Sequence, residues 1–483
     1  MVRRVKIVTT VGPAVSSVEM LRGLMESGAD VVRVNAAHGS QEDRLEIINM
    51  VREAAESLNR HVPILLDLRG LKIRTGPLPE GAFGMEIARG DKIRLVPGPV
   101  VSSNAEIGIN LDSFLEVVEP GSRVLISDGL IELVVEEVLS DHAVAVVTRP
   151  GNVLSRQGVT LPGAPIKGGA LTEVDIEDIR FAVDHKLDFI GLSFLNDADD
   201  LKKAREIARA HGDGNYCPGL VAKIERPQAL DDIKNIAEES DVVMVARGDL
   251  GVQLPPERVP RAQKDIIATC NRAGTPVITA TQMLESMIHN PVPTRAETSD
   301  VANAVWDGTD AVMLSAETAV GQYPLEAVSI MDRVIREVES RGVVRRKASS
   351  ESTEGDLDDS RLFADAISKA AIALTDETPV KHLVVLTKSG SSAVRLAKYR
   401  PAGDIVAVCD NESVARRLGV VWGVRSIVFD VANDPDEAFR GAGKELIARG
   451  LAEEGDWGLI VGSVPVYKQA GRTNNLHFRQ MGS

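Results

Sequence analysis

Eight short apolar runs, each ending in polar residues and separated by helical stretches, constrain this chain more than any other feature. They are VKIVTT (5–10), VVRVN (31–35), PILLDL (63–68), DFIGLSF (188–194), LVAKIE (220–225), DVVMVARGD (241–249), PVITAT (276–281) and DAVMLSAE (310–317). Helical patterns such as SVEMLRGLMESG and EDRLEIINMVREAAESL lie between most of them. Strands alternating with helices imply a parallel sheet. Eight such units predict an α/β fold, a closed (β/α)8 TIM barrel, with a doubly wound open sheet as the alternative. Apolar residues make up 44% of the chain but aromatics only 3%. The cores must therefore be aliphatic, as they are in parallel sheets covered by helices.

Two stretches fall outside the eight units. More than a hundred residues separate the third run from the fourth, and that gap is β-rich, with Asp-Gly, Pro-Gly and Ser-Asp punctuation that marks turns. We read residues 71–164 as an inserted β-barrel domain, placed after a strand's carboxyl end, where it can act as a lid. The barrel then comprises residues 1–70 and 165–343. The polar segment 344–360 reads as a linker or loop. A carboxyl-terminal α/β domain (344–483) follows, with strands at HLVVLTKS, DIVAVCD, VRSIVFD and DWGLIVGS.

Composition excludes several roles. The formal net charge is -15, from 55 basic and 70 acidic side chains. Duplex nucleic acid requires a basic face, so a nucleic-acid partner is not expected. No run of about 18 apolar residues exists, so no membrane span is expected. The start, MVRRVKIVTTVGP, has too short an apolar run for a signal peptide. Cys217, Cys270 and Cys409 are far apart, form no zinc pattern and suit a reducing compartment. A cytoplasmic protein is the expectation.

The run ends carry the chemistry. They hold Arg33 and Asn35, Asp67, Ser193, Lys223 and Glu225, Arg247 and Asp249, Thr281, and Ser315 and Glu317. A barrel gathers such ends into one ring. Lys223 and Glu225 are two residues apart, so they share a strand face, while Ile224 points away. Glu225 and Asp249 are candidate metal ligands, because Mg²⁺ takes one or two carboxylates together with waters and substrate oxygens. The competing reading makes each carboxylate the partner of Lys223 or Arg247 in a structural ion pair.

The same residues carry a family resemblance. VRVNAAHG, LLDLRGLKIRTG, VAKIERPQAL, VMVARGDLGV, ITATQMLESM, PTRAETSDVANAVWDGTDAVMLSAETAVGQYP and LTKSGSS resemble pyruvate kinase, in the family's order and over almost the whole chain. The resemblance implies transfer of phosphate from phosphoenolpyruvate to ADP, giving pyruvate and ATP. It implies Mg²⁺ (or Mn²⁺) at Glu225 and Asp249, Lys223 as the catalytic cation, and Arg33 on the phosphoryl group. It places Gly248 and Ser193 at the substrate. It assigns Asn35, His38, Pro13 and Arg74 to the nucleotide side. Thr281 and Ser315 match positions linked to enolate protonation, which a hydroxyl performs only through a water relay, with Glu317 nearby. Arg247 braces the loop that carries Asp249. A homotetramer is the expected assembly.

Departures from the family pattern matter as much. The potassium site of many relatives uses an asparagine, a serine, an aspartate and a threonine, with a glutamate close by. Here Asn35 and Asp67 persist, but the other positions are Ala37, Leu68 and Lys72. Like charges at contact repel by several kcal/mol even at an effective dielectric of about 20. Lys72 therefore disfavours K⁺ and supplies its charge, so K⁺ is not expected as a cofactor. Asp43 stands where many relatives carry a tyrosine near adenine. In the carboxyl-terminal domain, Thr387, Lys388, Ser389, Gly390, Ser391 and Ser392 follow a strand and open a helix. They match the family's effector-phosphate loop, which Arg472 would close over, so a phosphorylated allosteric effector is expected. Two other functions compete: a Mg²⁺-dependent lyase acting on oxo-acids, and an inactive phosphometabolite sensor.

Overall fold

A computed structural model describes residues 3–164, 170–212, 214, 216–341, 359–430, 434–463 and 473–483. Eight parallel strands close into a barrel. Around it run Lys6–Thr10, Ala311–Leu314, Val277–Ala280, Val242–Ala246, Gly219–Ile224, Phe189–Leu192, Ile64–Asp67 and Val31–Asn35, which returns to the first. Seven lie inside the runs read from sequence, and Gly219–Ile224 begins one residue before its run; the open-sheet alternative does not occur.

Alternation along each strand divides its residues between two cores. Outward residues such as Val32, Leu66, Leu220, Ala222 and Ile224 pack beneath the surrounding helices. Inward residues such as Val8, Val31, Leu65, Val221, Met244 and Ile278 fill the barrel near its amino-terminal end. Those inward residues form one continuous cluster with Leu396, Leu418 and Val421 of the carboxyl-terminal domain, which plugs the barrel from below. Continuing the inward parity toward the carboxyl ends gives Thr10, Arg33, Asp67, Ser193, Lys223 and Glu225. The apolar filling thus changes to charge along the same line of side chains.

The inserted unit is a six-stranded sheet in the order Val159–Thr160, Arg123–Ile126, Ile131–Val138, Ala143–Arg149, Lys92–Pro97 and Glu106–Ile109. Bridges from Arg74 to Gly158 and from Thr75 to Ile109 join its two edges and close it around Ile93, Leu95, Ile107 and Phe114. The carboxyl-terminal sheet has five strands: Val424–Val428, Asp404–Cys409, Val380–Leu386, Trp457–Gly462 and the antiparallel Asn475–Gln480. Sequence reading finds the first four and misses NLHFRQ. That edge strand is only half-buried, so it has no apolar run to mark it. The linker reading of 344–360 falls outside the described residues, except for its last two, which open the helix Asp359–Glu377.

Two run ends turn into helix. Val242–Ala246 stops before Arg247, and Arg247–Gln253 forms a short helix with Asp249 in its first turn. Likewise Ala311–Leu314 stops before Ser315, and Glu317 lies in the first turn of Ala316–Ala319. Both carboxylates sit where the helix dipole favours negative charge.

Candidate active site

Lys223 is the centre of the barrel mouth. Its ammonium donates to Ser193 Oγ at 2.7 Å and lies 2.8 Å from Glu225 Oε1 and 3.2 Å from Asp67 Oδ1. Asp67 is shared: Arg33 reaches Asp67 Oδ2 through Nε at 2.7 Å and Nη2 at 2.6 Å, and donates to Thr10 Oγ1 at 3.0 Å. Two cations and two carboxylates therefore interlock at the ends of three strands. Ser193 Oγ passes the contact on to the Leu68 carbonyl at 2.8 Å. Thr10 is a member of this network that sequence reading missed; its inward parity with Val8 was the available signal.

Electrostatics follow from burial. Asp67 and Glu225 are each 1% exposed. Burial pushes the Glu225 carboxyl up to about 7, and the charges of Asp249 and Asp67 add to this, while Lys223 opposes it. Burial also works against the Lys223 charge, but Asp67 and Glu225 outweigh it and hold the ammonium protonated beyond its usual range. Burial disfavours the Asp67 charge too, yet Lys223 and Arg33 keep that carboxyl below its ordinary range.

Glu225 accepts a 2.7 Å hydrogen bond from the Phe194 amide through Oε2. Its Oε1 and Asp67 Oδ1 are held by the Lys223 ammonium at 2.8 and 3.2 Å and accept a hydrogen bond from no other group. Buried carboxylate oxygens with unused lone pairs are what a hard cation needs. The donor set fits Mg²⁺ on that ground: Glu225 Oε1 keeps a lone pair beyond its Lys223 contact, and Asp249 stands close enough to raise the Glu225 pKa. No group of three or more His, Cys, Asp or Glu side chains able to hold a metal exists among the described residues. Any divalent ion would complete its shell with water or substrate oxygens.

Asp249 opens onto a cleft of about 830 Å³, whose lining includes Arg247, Gly248 and Gln282 from the barrel and Lys72 and Asp128 from the inserted unit. Arg247 braces this wall: it reaches Asp300 at 2.7 Å and donates to the Thr281 carbonyl at 2.6 Å and the Ala280 carbonyl at 3.2 Å. Thr281 Oγ1 accepts from the Gly248 amide at 2.8 Å. Thr281 and Gln282 have φ of 66° and 54°, the left-handed region that a β-branched residue enters only under strain. Beyond the next strand, Glu317 accepts from the Ser315 amide at 2.7 Å and the Leu284 amide at 3.1 Å, while Ser315 Oγ is buried with no hydrogen-bond partner. Burial raises the Glu317 pKa against those amide bonds.

Other expected residues stand apart from this cluster. Asn35 Oδ1 turns back to the Ala37 amide at 3.0 Å, and His38 and Pro13 are exposed. Arg74 donates to the Arg156 carbonyl at 3.0 Å within the inserted unit. Lys72 is exposed in the cleft and makes no ion pair among the described residues. Asp43 forms a capping box with Ser40, which accounts for its carboxylate without any ligand. In the carboxyl-terminal loop, Gly390 has φ 85° and donates to Thr387 Oγ1 at 3.0 Å; Ser389 pairs with Ser391 at 3.0 Å, and Ser392 with Thr473 at 2.7 Å. Lys388 is exposed there, and Arg472 lies outside the described residues.

Fold and site together define a TIM-barrel enzyme whose mouth sets buried cations against carboxylates beneath an inserted β domain. The family pattern of the pyruvate kinase barrel domain matches residues 2–328, and that of the pyruvate kinase alpha/beta domain matches residues 365–477. The chain belongs to the pyruvate kinase family, which uses phosphoenolpyruvate and ADP and generally requires Mg²⁺. It is 42% identical to a pyruvate kinase of Agrobacterium vitis over 482 residues, covering 100% of this chain and 97% of that one. It is 40% identical to a pyruvate kinase of Staphylococcus aureus over 484 residues, covering 99% and 81%. A crystal structure of a pyruvate kinase from Cryptosporidium parvum superposes with a TM-score of 0.90 at 33% identity, covering 99% and 96%. No helix among the described residues is long and apolar enough to cross a membrane.

Proposed function

We propose that Lys223 is the group at which phosphoryl transfer from phosphoenolpyruvate to ADP is catalysed. The observation that carries this reading is the Lys223 ammonium, fixed between Asp67 and Glu225 and held protonated by both. A preorganised cation lowers the barrier where negative charge develops, here the enolate oxygen left when phosphate departs. Arg33, clamped by Asp67, orients the phosphoryl group. Glu225 and Asp249 would hold Mg²⁺, which would supply Lewis-acid charge to the site. Gly248, Ser193 and Thr281 line the substrate. Thr281 and Ser315, with Glu317 behind, order the water that delivers a proton to the methylene carbon of the enolate. Asn35, His38, Pro13 and Arg74 take the nucleotide side. Lys223→Met is expected to lower kcat by at least about 10³-fold while phosphoenolpyruvate still protects the protein against melting. Near-normal turnover in that variant overturns the reading.

K⁺ independence belongs to the same proposal. Asp67 already faces two cations, the Leu68 side chain offers no oxygen, and Lys72 brings an ammonium to the cleft. Rates with and without K⁺ are expected to agree within about twofold; a millimolar K⁺ requirement refutes the idea. The enzyme works as a cytoplasmic homotetramer. A phosphorylated effector binds at Thr387–Ser392 with Arg472, supported by the hydroxyl-rich turn around Gly390.

A further inference from the structure

A second polar groove lies on the outside of the barrel, lined by the helices Gln41–Ser57 and Glu173–Asp184 and by Arg69. Its volume is about 460 Å³. Its floor is an ion pair, Arg44 to Asp178 at 2.8 Å, with the two side chains 3% and 1% exposed. Phe181 closes one side, beneath the Arg44 guanidinium. Two buried atoms in and beside the pair have no hydrogen bond, Asp178 Oδ2 and Arg69 Nε. They form an ion-pair contact at 3.8 Å, too long for a hydrogen bond, so each keeps hydrogen-bonding capacity to spare. Burial of the carboxyl outweighs its arginine neighbours, in keeping with incomplete compensation.

One orphan is an acceptor and the other a donor, and that pairing specifies the ligand. A simple anion would satisfy Arg69 and be repelled by Asp178; a simple cation would do the reverse. The surroundings repeat the theme, with Arg180 and Glu177 at the rim. We propose that this groove binds a small zwitterion, a compact molecule whose ammonium meets Asp178 Oδ2 and whose anionic group meets Arg69 Nε, of the size of a free α-amino acid. A buried donor and acceptor without hydrogen bonds are costly, so a ligand that bonds both has a built-in driving force. Arg69 also stands at the point where the chain leaves the barrel for the inserted domain. Its neighbour Gly70 donates to Asp175 Oδ1 at 3.1 Å on the same helix as Asp178. The occupied groove therefore grips the exit of that domain.

Calorimetric titration of the full chain with glycine and with β-alanine tests the proposal, with acetate and methylammonium as single-charge controls. Saturable binding of a zwitterion in the millimolar range or tighter is expected, at least tenfold stronger than either control. Arg69→Gln, at the partly exposed rim, is expected to weaken binding at least tenfold without lowering the melting temperature. Absence of saturable binding, equal binding of acetate, or unchanged affinity in Arg69→Gln overturns it. Asp178→Asn serves as the second variant if it folds: glycine affinity must fall there too, and an unaltered affinity again overturns the assignment.

Discussion

At the scale of single residues, the mouth is organised by parity and burial. Lys223 and Glu225 were legible from a two-residue spacing, because alternate side chains of a strand share a face. Their connection through Asp67 to Arg33 was not, since it joins strands far apart in sequence whose register only the closed barrel sets. Nor was the left-handed backbone at Thr281, which exists because the Arg247 guanidinium and the Gly248 amide hold that residue from two sides. The hydroxyl is the group in question, so two variants separate its roles. Thr281→Val is expected to lower kcat by about 10²-fold or more, while Thr281→Ser keeps most of it. Steady-state assays with phosphoenolpyruvate and ADP read the difference; equal activity of all three proteins argues against a proton-delivery role.

At the scale of elements, the sequence betrayed those with strong periodicity and hid those without. The barrel strands are almost wholly buried runs, and several of their helices open on visible caps: Ser40 with Asp43, Thr172 with Asp175 and Thr294 with Glu297 form capping boxes. The helix Arg247–Gln253 was hidden because its RGDLG sequence continues an apolar run with two glycines, and tertiary contacts to Arg247 decide its conformation. Closure of the inserted barrel was likewise hidden, since it rests on two isolated bridges at Arg74 and Thr75 rather than on a strand. Gly76 follows them, and a Cβ there would stand 1.9 Å from the Val100 carbonyl oxygen. Gly76→Ala is therefore expected to destabilise the inserted domain by roughly 1–3 kcal/mol. Differential scanning calorimetry should show an earlier transition from that domain while the barrel's melting holds; an unshifted trace contradicts the fit.

At the scale of the whole molecule, the carboxyl-terminal domain is joined to the barrel by a common core and by buried charge. Arg400 reaches Asp310 at 2.9 Å and stacks on Trp422, and Lys6 donates to the Val424 carbonyl at 2.8 Å. Sequence reading gave the two domains but not this joint, because its charged partners sit at the strands' amino ends, where no motif marks them. Burial drives the Lys6 pKa from 10.5 down to about 8, with Asp30 pulling the other way and Arg3, Arg60 and Arg425 adding to the fall. A cation whose folded pKa is depressed destabilises wherever it is protonated. The penalty is full below about 8 and fades as pH rises to 10.5, because only the unfolded chain then binds the proton. The stability of the native chain, measured against Lys6→Met by urea unfolding, should improve steadily across that window; a flat difference contradicts the assignment.

The barrel's first strand, Lys6–Thr10, is flanked by Val31–Asn35 and by the last strand, Ala311–Leu314. During synthesis the ring has no seam partner until the ribosome has released residue 314, about two-thirds of the way along the message. The inserted unit draws its pairings from residues 74–160 alone and is free to mature long before. The growing polypeptide thus carries a finished small module while its large one waits open, with the apolar edge of Lys6–Thr10 in need of shelter for the whole interval.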